Sequence, residues 1–289
     1  MSETGRSKRV VVFGAGFVGS AIAARLAARP GVVLDVLDIP THPALARRDR
    51  EAAGLVAQAV AGATAVVNTS GRLRGTDEEM VDANVGWPEW LAEQIESSGV
   101  RFVHLGSAAE YGNPGSADPV AETAAVDPRG IYGESKWAGT EAVLEAREAG
   151  LDAVVARGFN LVGPNLAPVS PLHQFVTDVT ALPAEGGEVE LWWPDTIRDF
   201  ILLDDLAEAV ALLTFAAEVP DIVNLCCGAA ISFREITEAI AARQGKSITI
   251  RSLDRPGIPA VVGDNTRLRE VTGLDPHIDA ATIAARAAV

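Results

Sequence analysis

The fold of this 289-residue chain is decided by the stretch Val10-Val11-Val12-Phe13-Gly14-Ala15-Gly16-Phe17-Val18-Gly19. Its first four residues form a short apolar run that is stopped by glycines. Residues 20–28 then carry alanine, leucine and arginine, which favour a helix. The order is therefore strand, tight turn, helix.

Further apolar runs follow plausible helices along the chain. The predicted strands lie at 32–37, 65–68, 101–105, 153–156 and 222–225, and helices are predicted at 135–148 and 206–217. Alternating strands and helices are typical of a parallel sheet that is covered on both faces. We therefore predict an α/β fold with a Rossmann-type, doubly wound parallel sheet.

The glycine pattern of residues 14–19 suits a dinucleotide, because it follows a strand and opens a helix. The free N–H groups and the positive dipole end of such a helix favour a pyrophosphate. Asp38 closes the second strand 19 residues after Gly19, where its carboxylate can accept hydrogen bonds from an adenosine ribose. The expected cofactor contacts are Gly14, Gly16, Phe17, Val18, Gly19 and Asp38. A purely structural glycine turn is the alternative, and the surrounding pattern argues against it.

The choice between NAD and NADP depends on the residues around Asp38. A carboxylate would repel a 2′-phosphate, which favours NAD(H), whereas Arg47 and Arg48 leave NADP(H) possible. Asp49 has two interpretations of equal weight. It contacts the adenine edge from the end of a short third strand, or it is a solvated surface acid.

A candidate catalytic set lies further along the chain. Tyr132 and Lys136 are four residues apart on one helix face, and Ser107 stands 25 residues before the tyrosine. Free tyrosine has a pKa of about 10, and the lysine charge together with an oxidised nicotinamide would lower that pKa. Tyr132 could then exchange a proton with a substrate oxygen while hydride moves to or from the nicotinamide. Lys136 would also hold the nicotinamide ribose, and Ser107 would hydrogen-bond the reacting carbonyl.

After Gly163-Pro164 the alternation becomes irregular and prolines are frequent. A helix at 233–243 and a strand at 247–251 follow the return to the sheet. We therefore predict that residues 1–160 and 197–228 form the NAD-binding Rossmann domain. Residues 161–196 and 229–289 would form a smaller, discontinuous substrate-binding lobe.

Composition limits the possible partners and the compartment. The formal net charge is −15 and the pI is about 4.7, which argues against nucleic acid or an anionic membrane as a partner. The two cysteines, Cys226 and Cys227, are adjacent and cannot form an ordinary disulfide, so we expect a reduced, cytoplasmic protein. The four histidines are scattered, and we expect no metal site.

These motifs resemble the extended short-chain dehydrogenase/reductase family, the group of sugar-nucleotide epimerases, dehydratases and reductases. The resemblance also rests on Asn84-Val85, on residues 157–164 (RGFNLVGP), on Arg198-Asp199-Phe200-Ile201, on residues 224–228 (NLCCG) and on Arg255-Pro256-Gly257. It implies a nucleotide-diphosphate sugar as substrate, contacted by Asn160, Arg198 and Arg255, and Asn84 at the cofactor. The expected assembly is a homodimer. As alternatives, Arg198 pairs with Asp199 or Asp205, and Asn160 is an ordinary turn residue.

Two departures from the family pattern narrow the comparison. Phe13 takes the place of the first glycine of the usual TGxxGxxG pattern, so the turn must be built from Gly14, Gly16 and Gly19. The segment between Asp38 and Asp49 looks too short for the usual intervening helix. In this it resembles the compact 4-keto-sugar reductases.

The residues after Ser107 bear on the reaction. The 4,6-dehydratases of the family carry two carboxylates there, whereas this chain has Ala108 and Ala109, which cannot act as acid or base. We therefore expect 4-keto reduction of a nucleotide-linked 4-keto-6-deoxyhexose with Tyr132 as proton donor. The alternatives are a 4-epimerase that holds NAD tightly and a catalytically silent NAD-binding regulator.

Overall fold

The computed structural model describes residues 7–164, 170–253 and 257–287. Within these ranges, no helix has the length and apolar character that a membrane span requires. The strands are β1 (Lys8–Phe13), β2 (Val32–Leu37), β3 (Ala65–Asn68), β4 (Arg101–Ser107), β5 (Ala153–Gly158), β6 (Asn160–Val162), β7 (Gly186–Leu191), β8 (Ile197–Arg198), β9 (Phe200–Leu202), β10 (Ile222–Leu225), β11 (Ile231–Ser232), β12 (Ser247–Ser252) and β13 (Ala260–Val261).

The helices cover both faces of the main sheet and fill the second region. They are α1 (Phe17–Ala27), α2 (Pro43–Arg47), α3 (Arg50–Val60), α4 (Asp77–Val81), α5 (Trp87–Ile95), α6 (Gly130–Glu148), α7 (Pro171–Ala181), α8 (Leu203–Phe215), α9 (Phe233–Arg243), α10 (Thr266–Thr272) and α11 (Ala280–Arg286). A π-helical turn, Asp82–Gly86, joins α4 to α5, and a 3₁₀ turn, Ala108–Tyr111, follows β4.

The main sheet has six parallel strands in the order β10-β5-β4-β3-β1-β2. The chain moves outward from β1 to β2 and then crosses back to β3 on the other side of β1. Ligands of open α/β sheets bind at such a reversal, beyond the carboxyl ends of the strands. The glycine turn after β1 and the loop after β3 meet at this point.

Alternate residues of each strand enter two separate cores, because successive side chains of a strand point to opposite faces. Val10 and Val12 pack with Leu206 and Val210 of α8 on one face. Val11 and Phe13 pack with the α5 side on the other face, where the rings of Phe13 and Trp87 lie edge to face with centroids 5.7 Å apart. The phenyl ring that replaces the family's first glycine is thus part of the core.

A third core belongs to the region outside the main sheet. Helices α7, α9 and α11 pack around it, with Leu172, Val179, Ile236, Ile240 and Ile283 buried. The lobe boundaries given above stay a prediction, and α10 departs from them. The buried side chain of Leu268 joins this helix to the core of the main sheet. The predicted boundaries instead place the helix in the smaller lobe.

The connection after β2 corrects two expectations. No third strand precedes Asp49; instead the five-residue helix α2 begins with proline at its first turn, where the missing N–H costs nothing. Asp49 is the N-cap of α3, and its carboxylate accepts hydrogen bonds from the backbone N–H groups of Glu51 and Ala52, both at 3.0 Å. A five-residue helix thus fits in this segment, and Asp49, exposed as the second of its two interpretations expects, caps α3 and does not end a strand.

Candidate active site

The glycine turn forms a cradle at the carboxyl end of β1. Gly14 has a φ of +102°, and a Cβ there would lie 2.8 Å from Thr69 Oγ1, so only glycine fits. A Cβ at Gly19 would collide with the carbonyl oxygen of Gly14, which brings α1 against the turn. At Gly16 a Cβ would meet no protein atom within 4 Å. Packing within the chain therefore does not require the glycine at this position, whereas a ligand lying close to the backbone would.

The start of α1 is open to an anion. Gly16 is its N-cap and supplies no side-chain cap, and no acidic residue lies in the first turn. Uncapped N–H groups and the helix dipole at such an end favour a phosphate group. The residues present thus fit the pyrophosphate of a dinucleotide.

Asp38 lies directly beside this cradle. One oxygen of its half-buried carboxylate accepts a hydrogen bond from Ala15 N at 3.0 Å. The two arginines that could serve a 2′-phosphate are already paired. Arg47 binds the carboxylates of Asp49 and Glu51, and Arg48 binds that of Asp82.

Ser107 and Tyr132 meet beyond the end of β4. Tyr132 lies in the first turn of α6, and its hydroxyl donates a hydrogen bond to Ser107 Oγ at 3.4 Å. Ser107 also caps the following 3₁₀ turn, since its Oγ accepts from Ala109 N at 3.2 Å. The two hydroxyls, both half-buried, form one polar position for a substrate oxygen.

Lys136 lies one turn along α6 from Tyr132 and is buried. Its ammonium donates a hydrogen bond to the carbonyl oxygen of Leu105, at 2.7 Å, in the strand below. Burial lowers the pKa of Lys136, and the charge of Glu110 partly opposes this shift. The structure brings Ser107, Tyr132 and Lys136 together as their spacing predicts.

The lowering expected from the sequence includes the charge of an oxidised nicotinamide, and the protein alone instead raises the pKa of Tyr132. Burial raises it, the hydrogen bond with Ser107 partly opposes the rise, and the charge of Glu110 adds to it. Desolvation penalises the phenolate more than the surrounding groups favour it. The protein alone therefore holds Tyr132 as the neutral phenol, which can donate a proton.

Asn84 lies in the π-helical turn and is buried. Its side-chain amide donates to Arg72 O at 2.8 Å and to Ser135 Oγ at 3.0 Å, while its Oδ1 accepts from Arg72 N at 2.8 Å. The residue thus ties the loop after β3 to α6. Direct contact with a cofactor, expected from the resemblance, stays a prediction.

The substrate residues are held by main-chain groups. Asn160 donates to Asp199 O at 2.7 Å. Arg198 donates to Ile197 O at 2.8 Å and to Ile258 O at 3.0 Å, and burial lowers its pKa to about 10. Neither Asp199 nor Asp205 forms an ion pair with it, since Asp199 instead accepts from Cys227 N and Gly228 N. Arg255 lies outside the described residues.

A buried set of polar side chains beneath the site, Asn68, Trp87 and His104, is absent from the site residues expected from the sequence. Asn68 Oδ1 accepts from Trp87 Nε1 at 3.1 Å and from Ser70 N at 3.2 Å, so its amide nitrogen faces His104 Nδ1, 3.1 Å away. His104 therefore carries its proton on Nε2. Burial holds the pKa of His104 well below its usual range, and the positive charge of Lys136 makes a smaller contribution in the same direction. The signal was two polar residues in otherwise apolar central strands.

Comparison with known proteins identifies the family. The model of the NAD dependent epimerase/dehydratase family matches residues 10–226. The chain belongs to this family. The expected membership of the extended short-chain dehydrogenases/reductases, the parallel α/β fold and the assignment as an enzyme are thereby confirmed.

Individual members of the family resemble this chain over most of its length. The dTDP-6-deoxy-L-talose 4-dehydrogenase (NAD(P)(+)) of Kitasatospora kifunensis is 32% identical over 268 residues, which cover 88% of this chain and 84% of that enzyme. The structure of RMD from Pseudomonas aeruginosa, complexed with NADPH, has a TM-score of 0.77 at 24% identity and covers 96% of this chain and 97% of that one. The UDP-glucuronic acid 4-epimerase of Bacillus cereus, in complex with NAD, has a TM-score of 0.81 at 16% identity, with coverages of 96% and 97%. The two structures support the fold.

Proposed function

We propose that this member of the family reduces the C4 ketone of a nucleotide-linked 4-keto-6-deoxyhexose, with NADH as the favoured reductant. The observation that carries the proposal is the composition of the segment after Ser107. Ala108 and Ala109 are half-buried at the site, and the one carboxylate of the segment, Glu110, is fully buried with both oxygens hydrogen-bonded to the protein. An elimination needs a positioned acid and base there.

In the proposed reaction the neutral phenol of Tyr132 donates its proton to the carbonyl oxygen. Ser107 Oγ, 3.4 Å from the Tyr132 hydroxyl, orients the same oxygen through a hydrogen bond. C4 would receive its hydride from a reduced nicotinamide held by the glycine turn and Asp38. The ammonium of Lys136, one turn along α6 and bonded to Leu105 O, would contribute a positive charge that favours the phenolate remaining after proton transfer.

The cofactor would lie on the cradle described above. Gly14, Gly16 and the start of α1 would hold the pyrophosphate, and Asp38 would accept hydrogen bonds from the adenosine ribose. Two relatives support a nicotinamide dinucleotide: the Kitasatospora enzyme is named for NAD(P)(+), and the Pseudomonas structure holds NADPH. The preference for NADH rests on Asp38 and on the paired state of Arg47 and Arg48.

The substrate class is supported by the Kitasatospora relative, which is named as a 4-dehydrogenase of a dTDP-6-deoxy sugar. Reduction of a 4-keto group is the reverse of such a dehydrogenation. Asn160 and Arg198 would contact the sugar and the diphosphate, as would Arg255. The homodimer and the cytoplasmic location stay predictions.

The test is turnover of a dTDP-linked 4-keto-6-deoxyhexose by the purified protein with NADH. We expect one NADH oxidised for each C4 alcohol formed, and no nucleotide retained through purification. Tyr132→Phe is the matched control, because it removes only the hydroxyl. Constant NADH absorbance with interconversion of two 4-epimers and tightly held NAD would instead establish the epimerase. Absence of turnover on every keto-sugar nucleotide would favour the silent regulator.

A further inference from the structure

A carboxylate that cannot reach the substrate is bonded directly beneath the site. Glu110 is fully buried, and its Oε1 accepts a hydrogen bond from Ser107 N at 2.6 Å. Its Oε2 accepts from Thr140 Oγ1 at 3.0 Å and from Arg157 Nε at 2.9 Å. One side chain thus joins the end of β4, the middle of α6 and the end of β5.

The surrounding residues are shaped to admit this carboxylate. A Cβ at Gly106 would lie 2.9 Å from Glu110 Oε1 and 2.8 Å from Val155 Cγ1, so a side chain there would displace the group. The guanidinium of Arg157, also fully buried, lies 2.8 Å from Glu110 Oε2 and stacks over the ring of Tyr111 at 4.5 Å. The carboxylate therefore has one fixed position.

That position matters for the two groups that transfer and stabilise charge. Tyr132 and Lys136 lie on the same helix as Thr140, eight and four residues before it respectively, and both face β4. The carboxylate charge disfavours the phenolate of Tyr132 and favours the ammonium of Lys136, so it raises the pKa of each. Glu110 is the carboxylate that acts on both.

We propose that Glu110, paired with Arg157, is a positioning residue of the catalytic site. It fixes Ser107 relative to α6, and its charge adds to the effect of burial in favouring the proton-donating phenol of Tyr132. The inference rests on the proposed function for the direction of proton transfer. Its structural part does not depend on the identity of the substrate.

Two substitutions separate position from charge. Glu110→Asp keeps the charge but withdraws the carboxylate by about 1.5 Å, one carbon–carbon bond. We expect kcat to fall roughly 10- to 100-fold, as for other misplaced catalytic groups, with KM nearly unchanged and the pKa of Tyr132 close to that of the wild type. Glu110→Gln keeps the shape and an acceptor for Ser107 N but removes the charge. We expect the pKa of Tyr132 to fall and the alkaline limb of the kcat profile to move to lower pH.

The pKa of Tyr132 can be measured without any substrate. The chain has two tyrosines, Tyr111 and Tyr132, so a protein labelled with ¹³C at the tyrosine Cζ gives two resonances, and Tyr132→Phe assigns them. Glu235→Gln is the matched control. Glu235 forms the same kind of capping box with Ser232 at the start of α9, and its charge is absent from the groups that shift the pKa of Tyr132.

A lower pKa of Tyr132 in Glu110→Gln, with an unchanged titration in Glu235→Gln, supports the inference. Loss of stability alone, with the Tyr132 titration and kcat of both Glu110 variants as in the wild type, would reduce Glu110 to a structural residue and overturn it. If the Gln variant does not fold, kcat and KM of the Asp variant decide. If no keto sugar is reduced, the proposed function fails while the titration still decides this inference.

Discussion

The catalytic end and the substrate end of the site are built differently. At the catalytic end, buried polar groups are bonded to one another, with Glu110 beneath Ser107 and Lys136 bonded to Leu105 O. At the substrate end, Asn160 and Arg198 donate only to main-chain carbonyls among the residues that the structure describes. In the first arrangement Glu110 is paired with Arg157 and its charge also acts on Lys136, whereas the second holds a cation available to an external anion.

This difference indicates that Arg198 contributes to the binding of the substrate. Arg198 is half-buried and forms no ion pair with a carboxylate in the part of the chain that the structure describes, and its desolvation lowers its pKa to about 10. A diphosphate would restore the lost interaction through charge-assisted hydrogen bonds. We therefore expect substitutions at the catalytic end to change kcat and those at the substrate end to change affinity.

The strongest test of this contrast is Tyr132→Phe. Loss of the proton donor should lower kcat by roughly 10² to 10⁴, the usual contribution of a general acid. NADH affinity and the unfolding midpoint should stay near those of the wild type. Steady-state kinetics and NADH titration measure both, and wild-type turnover in this variant would show that the catalytic assignment is wrong.

The substrate end is tested by Arg198→Ala. We expect the nucleotide sugar to bind more weakly by about 2 kcal/mol, as for a lost charge-assisted bond, with kcat at saturation less affected. Arg251→Ala is the control in the same region, since Arg251 forms exposed ion pairs with Glu188 and Glu190. Calorimetry that finds equal affinities in both variants would remove the contrast between the two ends.

The next prediction concerns the cofactor site and its selectivity between NADH and NADPH. NADH should bind more tightly than NADPH by roughly 1–3 kcal/mol, because the 2′-phosphate leaves the carboxylate of Asp38 facing an anion instead of a hydroxyl. Asp38→Asn should narrow the gap. Fluorescence titration of both cofactors decides this, and tighter NADPH binding by the wild type would turn attention to Arg47 and Arg48.

The smallest expected effect concerns Asp199, which follows Arg198. Burial raises its pKa to about 6, although backbone N–H groups oppose the shift. A raised folded-state pKa adds stability at low pH that is lost as pH rises through about 6. Between about pH 5.5 and 7.5 the free energy of unfolding should therefore lose about 1 kcal/mol from this group. Urea unfolding of the wild type and of Asp199→Asn should show that dependence only in the former.

Sequence reasoning found what periodicity and spacing encode. The strands 32–37, 65–68 and 222–225 and the helix 233–243 have their predicted bounds, because apolar periodicity is strong there. Helix α6 begins at Gly130, five residues earlier than predicted, which places Tyr132 inside the helix. The meeting of Ser107 with Tyr132 was predictable from the spacing of Ser107, Tyr132 and Lys136 along the chain.

What the sequence could not provide are the long-range polar contacts. The hydrogen bonds of Glu110 with Thr140 and Arg157 join residues 30 and 47 positions apart, and no local sequence pattern predicts them. The direction in which the pKa of Tyr132 shifts depends on the burial of its side chain, and that burial is determined only in the folded chain. The two interpretations of Asp49 stayed open because an acid before a helix and an acid after a strand look alike in a short segment.

The open space at Gly16 has an evolutionary consequence. Gly14 and Gly19 are required by the fold, whereas at Gly16 an added methyl group would meet no protein atom. A descendant of this chain that no longer binds a dinucleotide would therefore keep Gly14 and Gly19 and be free to lose Gly16. The residue at position 16 would thus distinguish homologues that bind a dinucleotide from homologues that have lost this binding.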